Sequence, residues 1–277
     1  MAKGIGLIGN FRGKVGNMVG YNLKDSNNKQ TQGVRVYQPV VKNPKTYGQA
    51  EQRAKLAPIN ATYRALKMII DRGQEGKAYG NKSRLAWLSD AMKAFNGGWF
   101  EKGAAITAPA LVPLTKGSIP ETFVQADDFP TPMINLSDEP SVQPTTIGAM
   151  ASVLLAEFSA LHEGDQITII KVETVSGSFI PKIESLVLDT TSTEALPSIV
   201  EFDADQIKFF NDNVNAVANA IIISREGDNG AHLRSTTSLV SGLGYNTDLL
   251  APAAKEAAIK SYMSAGANTD WAEESLQ

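Results

Sequence analysis

Gln166-Ile-Thr-Ile-Ile-Lys-Val-Glu-Thr-Val175 is followed by Ser176-Gly177 and then by Phe179-Ile-Pro-Lys-Ile-Glu-Ser-Leu-Val-Leu188. These residues contain the clearest indication of the fold. Both runs are rich in β-branched and apolar residues, a composition that is typical of strands. The serine–glycine pair between them indicates a turn. The stretch therefore predicts two consecutive strands of an antiparallel, β-rich region.

Further strand-like runs lie on both sides of this stretch, and turn signals separate them. The runs are Ala151 to Phe158, Ile199 to Phe202 and Ala218 to Ser224. Short strands at this spacing favour an immunoglobulin-like antiparallel β-sandwich over residues 145–249, although a chain without cysteine cannot carry the Cys-Trp-Cys signature. Residues 250–277 predict a C-terminal helix, from Pro252 to Met263, and an acidic tail.

A helical pair over residues 48–102 precedes a proline-rich connector over residues 103–144, where we place a domain boundary. Thr46 can cap the first helix, and Gln49 is its capping-box partner. We expect this helix to kink or restart at Pro58. Asn81 is expected to cap the second helix. Apolar residues recur at intervals of three and four in both helices: Leu56, Ile59, Tyr63, Leu66 and Ile70, then Leu85, Leu88, Met92 and Phe95.

The first 47 residues are basic and rich in glycine. Two short strands, Val15 to Leu23 and Val34 to Val41, are separated by the polar run from Lys24 to Gly33, which predicts a long-looped β-hairpin. The glycine-rich start before the hairpin cannot bury much surface alone, so we expect it to be an arm that orders against a neighbour. Together, these patterns predict an α+β protein.

Length and composition limit the class of protein. A chain of 277 residues with 43% hydrophobic and 20% charged residues is typical of a folded protein of one or two domains. No apolar run approaches the roughly 18 residues that a membrane span needs. Gly4, Gly6 and Gly9 interrupt what would be the apolar part of a signal peptide. We therefore expect neither a membrane protein nor export by that route.

Charge is distributed unevenly along the chain. Residues 1–102 contain 18 basic and 6 acidic residues, a net charge of +12, whereas residues 103–277 contain 8 and 23, a net charge of −15. Such asymmetry indicates an oriented molecule whose basic region faces nucleic acid or an acidic surface. Attraction between the two halves, within or between subunits, explains the asymmetry equally well.

Motifs for catalysis are missing or out of context. The absence of cysteine excludes thiolate nucleophiles and cysteine-ligated metals, and His162 and His232 have no partner at metal-ligand spacing. Gly4-Ile-Gly6-Leu-Ile-Gly9 has the letters of a dinucleotide fingerprint, but no strand precedes it and no helix follows. We predict no enzyme, no cofactor and no metal. One enzymatic alternative stays open. It is a hydrolase whose active site is assembled from residues distant in sequence and includes one of the two histidines.

Basic residues of the first part of the chain are the candidate contacts to nucleic acid or to a neighbouring subunit. They are Arg12, Lys14, Lys24, Lys29, Arg35, Lys42, Lys45 and Arg53. Aromatic residues such as Tyr21 and Tyr37 lie among them, and stacking on bases combined with charge on phosphates is how proteins hold single strands. Packing in a core or an interface explains these aromatic residues at least as well.

Two motifs carry a family resemblance. Gly9-Asn-Phe-Arg-Gly-Lys-Val-Gly-Asn-Met-Val-Gly20 is followed by Asn43-Pro-Lys-Thr-Tyr-Gly-Gln-Ala-Glu-Gln-Arg-Ala-Lys55. Together they resemble an uncharacterised family of Bacteroidota and their phages, with a Gly-Lys-Val-Gly box and a Thr-x-x-Gln-x-x-Gln-Arg-x-Lys helix start. The likeness covers roughly the first hundred residues and is looser beyond them. The family supplies no activity that can be assigned to a residue here.

The resemblance to a family found in phages implies a role in the virion or its assembly. We expect a non-enzymatic, capsid-associated or head protein, made in the host cytoplasm and located in the virion. It would form homo-oligomers, contact other virion proteins and touch DNA through its basic N-terminal region. The alternative is a nucleic-acid-binding protein that acts in replication or packaging.

Overall fold

The structure is a computed structural model that describes residues 13–24, 30–37, 46–120, 131–210, 215–227 and 230–263. The chain forms two compact units, Met1–Pro44 and Lys45–Gln277. Six α-helices occur in the described residues together with antiparallel sheets. The prediction of a protein with both helices and antiparallel sheets is confirmed.

The described part of the first unit is a three-stranded antiparallel sheet. Its strands, in order, are β1 (Gly13–Val15), β2 (Met18–Lys24) and β3 (Gln30–Val36). Gly16 turns the chain between β1 and β2 at a φ of +56°, in the left-handed region that glycine tolerates best.

The predicted hairpin corresponds to β2 and β3, which pair from Met18 opposite Val36 to Lys24 opposite Gln30. Its loop is shorter than expected, because residues 30–33 belong to β3 instead of to the loop. Residues 38–41, predicted as the end of the second strand, lie outside the described residues.

Helices begin the second unit: α1 (Tyr47–Ala65), α2 (Lys67–Ile70) and α3 (Asn81–Ala94). The Thr46 cap is confirmed, since the Thr46 hydroxyl accepts a hydrogen bond from the Gln49 backbone N–H at 3.4 Å. The expected restart at Pro58 is wrong, because α1 continues through it. The predicted cap at Asn81 is also wrong: Gly80 occupies the cap position at a φ of +80°, and Asn81 is the first helical residue.

The other elements follow in chain order. They are β4 (Pro113–Thr115), β5 (Met133–Asn135), α4 (Ile147–Glu157), β6 (Gln166–Val175), β7 (Ser178–Val187), β8 (Val200–Asp203), β9 (Gln206–Phe209), β10 (Ala216–Glu226), β11 (His232–Arg234), β12 (Thr237–Ser238), β13 (Val240–Ser241), a 3₁₀ helix (Gly242–Tyr245), α5 (Thr247–Leu250) and α6 (Pro252–Tyr262). The two strands predicted between Gln166 and Leu188 form the β6–β7 hairpin, and α6 lies where the C-terminal helix was predicted.

One predicted strand is a helix. Residues 151–158 lie mostly in α4, which begins after Thr146, whose hydroxyl accepts from the Ala149 N–H at 3.2 Å. Met150, Ala151 and Leu154 are buried at helical spacing. The buried residues of this run therefore recur with the helical period near 3.6. The eight residues from 151 to 158 are too few to distinguish that period from the pattern of a buried strand.

Five strands form the central sheet, in order β11-β10-β6-β7, with β13 also paired to β10. In the described residues β7 is one edge of this sheet, and it carries Pro181 opposite Val172. Two smaller sheets accompany it, β12-β4 and β5-β9-β8.

Both faces of the sheet are buried at its middle strands, β6 and β10, which explains why these two strands are apolar almost throughout. One face, with Ile170, Val172, Ala220 and Ile222, packs with residues of the helical pair such as Ile59 and Trp87. The opposite face, with Ile167, Ile169, Ile221 and Ile223, packs with Met150 and Leu154 of α4 and with Ile207 and Phe209 of β9.

The proline-rich stretch 103–144 contributes to the first of these cores. Ala110, Val112 and Leu114 are buried there. The Trp87 indole N–H donates to the Pro113 carbonyl at 2.8 Å and links α3 to the stretch. In the structure, the helical pair and the central sheet thus belong to one compact unit, and the division between units follows Pro44. The finer sequence division of residues 48–277 stays a prediction.

Candidate functional site

Three of the eight predicted contact residues have side chains that the structure describes: Lys14, Arg35 and Arg53. Lys24 ends β2, where its backbone pairs with Gln30. The remaining four lie outside the described residues: Arg12, Lys29, Lys42 and Lys45. The structure thus brings Lys14 and Arg35 into one sheet, whereas Arg53 lies on α1 of the second unit.

Lys14 and Arg35 lie on the same face of the N-terminal sheet. Lys14 pairs with Val19, and Val19 pairs with Arg35, so the three residues form a row across β1, β2 and β3. Residues directly opposite in adjacent strands point to the same side. Both charged side chains are exposed. This side is called the basic face below.

Aromatic rings lie beside these charges. The Lys14 Nζ is 3.6 Å from the centre of the Tyr37 ring, within the range of a cation–π contact. Tyr21 pairs with Gly33, and a Cβ added at Gly33 would come within 2.7 Å of the Tyr21 ring. Gly33 therefore leaves the space that lets this ring lie flat across β3. The basic face combines cations with two half-buried tyrosines.

The opposite face of the N-terminal sheet is apolar and exposed. Met18 pairs with Val36, and Gly20 pairs with Val34, which places these residues on one side. The exposed fractions are 40% for Met18, 47% for Val34 and 70% for Val36. This side is called the apolar face. Apolar side chains gathered on one exposed face are typical of a contact surface.

Arg53 is half-buried on α1, close in sequence to a charged cluster between α1 and α6. The Glu51 carboxylate lies 3.1 Å from the Lys55 Nζ and 3.2 Å from the Lys255 Nζ. Burial raises the pKa of Glu51, but the hydrogen bonds and charges of the two lysines outweigh it, so this pKa lies below its ordinary value. The cluster holds α6 against α1.

Trp99 is the floor of a cleft of about 440 Å³ beside this cluster. Its ring centre is 5.4 Å from the Lys255 Nζ and 5.9 Å from the Lys55 Nζ. The single carboxylate of Glu51 is shared by both ammonium groups, which holds the two lysines in place and leaves one positive charge uncompensated beside the cleft. We assign the cleft a role in packing.

A second charged cluster lies inside the unit. Lys171 is fully buried on β6, and its Nζ is 3.0 Å from the carboxylate of Glu173, two residues further along the same strand. Lys182 of β7 contacts the same carboxylate oxygen at 2.8 Å. The hydrogen bond from Lys182 lowers the pKa of Glu173, burial raises it and Lys171 lowers it again, with a net shift downward. This cluster stabilises the end of the sheet instead of presenting a reactive group.

Asp165, buried in the loop before β6, pairs with half-buried Arg225 of β10. The Arg225 guanidinium donates to both carboxylate oxygens of Asp165, each at 2.6 Å, and to the Ala160 carbonyl at 2.8 Å. The His162 N–H donates to Asp165 at 2.8 Å. The hydrogen bond to Asp165 raises the pKa of Arg225. The pair fixes the loop before β6.

The two histidines lie in different places. His162 is exposed in the loop before β6, and His232 begins β11. Among the described residues, no group of three histidine, aspartate or glutamate side chains is arranged to hold a metal ion. Within the same residues, no helix is both long and apolar enough to span a bilayer.

Sequence reasoning missed the apolar face and both buried ion pairs. Lys171 lies between Ile170 and Val172, inside an apolar strand, and the opposite charge of Glu173 follows two residues later. Side chains two residues apart in a strand lie on the same face, so this spacing could have indicated the ion pair. The Asp165–Arg225 pair spans 60 residues and had no such local signal.

Comparison of the chain with models of protein families, with curated proteins and with solved structures finds no match in any of the three.

Proposed function

We propose that this chain is a non-enzymatic structural subunit of a phage virion, capsid-associated or part of the head, that contacts its neighbours through the N-terminal sheet. Formation of a homo-oligomer is part of the proposal, as is location in the virion. The observation that carries it is the two-faced N-terminal sheet, with an apolar face and a basic face on three short strands.

The size of this sheet supports a partner. Two- and three-stranded sheets depend on a covered hydrophobic face for their stability. Here Met18, Val34 and Val36 remain exposed on one side. Burying a valine side chain stabilises an interface by about 1.5–3 kcal/mol, so covering this face with a neighbouring subunit is favourable.

The charges of the two units support the same arrangement. The first unit, residues 1–44, contains 7 basic residues and 1 acidic residue, a net charge of +6. The second unit, residues 45–277, contains 19 basic and 28 acidic residues, a net charge of −9. Opposite charges on two parts of one chain favour head-to-tail contact between copies.

The alternative function is nucleic-acid binding in replication or packaging, and the basic face favours it. Exposed Lys14 and Arg35 can pair with phosphates, while Tyr21 and Tyr37 on the same face offer rings to bases. A virion subunit that also touches the genome combines both functions.

The immunoglobulin-like sandwich predicted for residues 145–249 remains part of the proposal. Its support is the packing of the small β5-β9-β8 sheet over the central sheet, with Ile134 and Phe209 in the same core as Ile169 and Ile221. Two antiparallel sheets with a shared core are the basis of a sandwich.

Replacing Val36 by aspartate is expected to weaken self-association by at least about tenfold, since a buried valine contributes about 1.5–3 kcal/mol. Sedimentation velocity over a concentration series measures this change. Val142→Asp is the matched control, because Val142 is 79% exposed and lies outside the N-terminal sheet. A wild-type chain that stays monomeric at every concentration, or equal loss in both variants, would contradict the subunit contact.

The double variant Lys14→Glu/Arg35→Glu tests the nucleic-acid alternative. We expect weaker DNA binding and a slope of log K against log salt that is lower by about two, because each neutralised phosphate contributes about 0.9 to the slope. Fluorescence anisotropy at several salt concentrations gives both values. An unchanged slope would exclude the basic face as a DNA contact.

Mass spectrometry of purified phage particles tests the location of the protein. Its detection in the particles would support a virion subunit, and its absence from them would contradict one.

A further inference from the structure

Tyr79 is the centre of a second basic and aromatic surface, located in the second unit. Its side chain is 53% exposed in the loop between α2 and α3. The Cζ of Arg72 is 5.9 Å from the centre of its ring, and the Cζ of Arg234 is 6.0 Å away. Both distances lie at the outer limit of a cation–π contact, and more than half of the surface of Tyr79 remains exposed.

Chain segments that are far apart in sequence build this surface. Arg234 belongs to β11, 155 residues after Tyr79, and its Nη2 donates to the Tyr79 hydroxyl at 3.3 Å. The ring of His232, on the same strand, has its centre 6.2 Å from that of Tyr79. The Arg234 backbone N–H donates to Glu75 at 3.1 Å, which ties β11 to the α2–α3 loop.

The acidic residues of this loop are engaged by the protein itself. Asp71 accepts from the Tyr63 hydroxyl at 3.0 Å. Glu75 accepts from the Ser118 N–H at 2.8 Å and from the Ser118 hydroxyl at 3.1 Å, and it bonds the Arg234 N–H as well. Burial raises the pKa of Glu75, but these hydrogen bonds outweigh it and the pKa lies below its ordinary value.

The cations of the same segment face solvent. Arg72, Lys77 and Lys82 are exposed, and the nearby acidic side chain of Glu226 lies opposite His232 across the β10–β11 pair. The loop also lines an open cleft of about 550 Å³, at which Lys77 and Lys116 are matched by Glu75 and Asp90, and Asp90 pairs with Lys116 at 3.1 Å. Around Tyr79 itself four cations, Arg72, Lys77, Lys82 and Arg234, outnumber the carboxylates of Asp71, Glu75 and Glu226 by one, within a unit whose net charge is −9.

We propose that this surface binds single-stranded nucleic acid, with a base stacked on Tyr79 and phosphates paired with Arg72 and Arg234. Guanidinium groups pair well with phosphate oxygens. An exposed ring between such groups suits a base, whereas an acidic peptide would need only the charges. The surface is separate from the N-terminal sheet and does not depend on the function proposed for that sheet.

Fluorescence anisotropy of a labelled oligo-deoxythymidine with the full-length chain tests this proposal. Tyr79→Ala is expected to lower the affinity by about 5- to 100-fold, because stacking of one base on an aromatic side chain contributes about 1–3 kcal/mol. Tyr79→Phe should bind like the wild type. Arg72→Ala and Arg234→Ala should each weaken binding and reduce its salt dependence. We expect tighter binding of the single strand than of a duplex.

Matched controls separate this surface from general effects. Lys93→Ala removes an exposed charge at the far end of α3, and Leu85→Ala shortens a side chain that is 55% exposed on the same helix. Both should bind normally, and circular dichroism should report an unchanged fold for Tyr79→Ala.

Three results would overturn the proposal. The first is wild-type affinity in Tyr79→Ala and in both arginine variants. The second is equal competition by a polyglutamate peptide, which would make the surface a general anion site. The third is loss of binding only in Lys14→Glu/Arg35→Glu, which would leave the N-terminal contact standing and reject this one.

Discussion

Glu173→Ala is expected to destabilise the second unit by about 3–5 kcal/mol. The change leaves the fully buried Lys171 without the carboxylate that lies 3.0 Å from its Nζ. An ammonium group in a core costs several kcal/mol when no opposite charge compensates it. Chemical denaturation followed by circular dichroism measures the loss.

Two variants control this prediction. Glu184→Ala removes an exposed carboxylate from β7 and should change the free energy of unfolding by less than about 0.5 kcal/mol. The double variant Lys171→Met/Glu173→Leu removes the buried charges together and should recover most of the stability lost in Glu173→Ala. If Glu173→Ala unfolds at the same denaturant concentration as Glu184→Ala, the Lys171–Glu173 pair does not contribute to the free energy of unfolding.

The lowered pKa of Glu173 adds a dependence on pH. A carboxyl group whose pKa is lower in the folded state contributes stability that is present above its unfolded pKa and is lost as the pH falls through the folded value. The advantage of the wild type over Glu173→Gln should therefore be constant near neutral pH and decline below about 4.3. Denaturation curves of both proteins, recorded from neutral pH to well below the ordinary pKa of a glutamate, test the sign.

Asp165→Ala is expected to cost about 3–5 kcal/mol as well, since Asp165 is fully buried and accepts from Arg225 and from the His162 N–H. The loop before β6 should loosen first, which hydrogen exchange at His162 reports. Asp203→Ala, at an exposed carboxylate of β8, is the control. Equal unfolding free energies for the two variants would contradict a structural role for the Asp165–Arg225 pair.

Local patterns predicted the strands well where the signal itself is local. β6 begins at Gln166 and ends at Val175, as the sequence indicates, because its β-branched and apolar composition and the turn at Ser176-Gly177 define it without reference to the rest of the chain. β7 differs by one residue at each end from the predicted run. The Thr46 cap was also readable, since a cap involves residues only three positions apart.

Other features depend on contacts that no local pattern contains. The helix α4 was missed, and its position is set partly by Gly148, where a Cβ would come within 2.5 Å of the Ser192 carbonyl. Leu85 has the spacing of a core residue but is 55% exposed, and spacing along one helix does not state which of its sides the rest of the chain covers.

The candidate surfaces were predictable to different degrees. Basic residues near the N terminus were identified from composition, and the pairing of β1, β2 and β3 then decides that Lys14 and Arg35 share a face. The Tyr79 surface requires Arg234 to approach from 155 residues away. Only the fold supplies that contact, so no sequence window could indicate it.

The edges of the central sheet have a consequence for how copies of this chain can meet. Pro181 removes one backbone donor from β7, and β11 at the other side has only three residues. Such edges are poor templates for recruiting a foreign strand. Copies packed at high local concentration should therefore not convert into fibrils through this sheet.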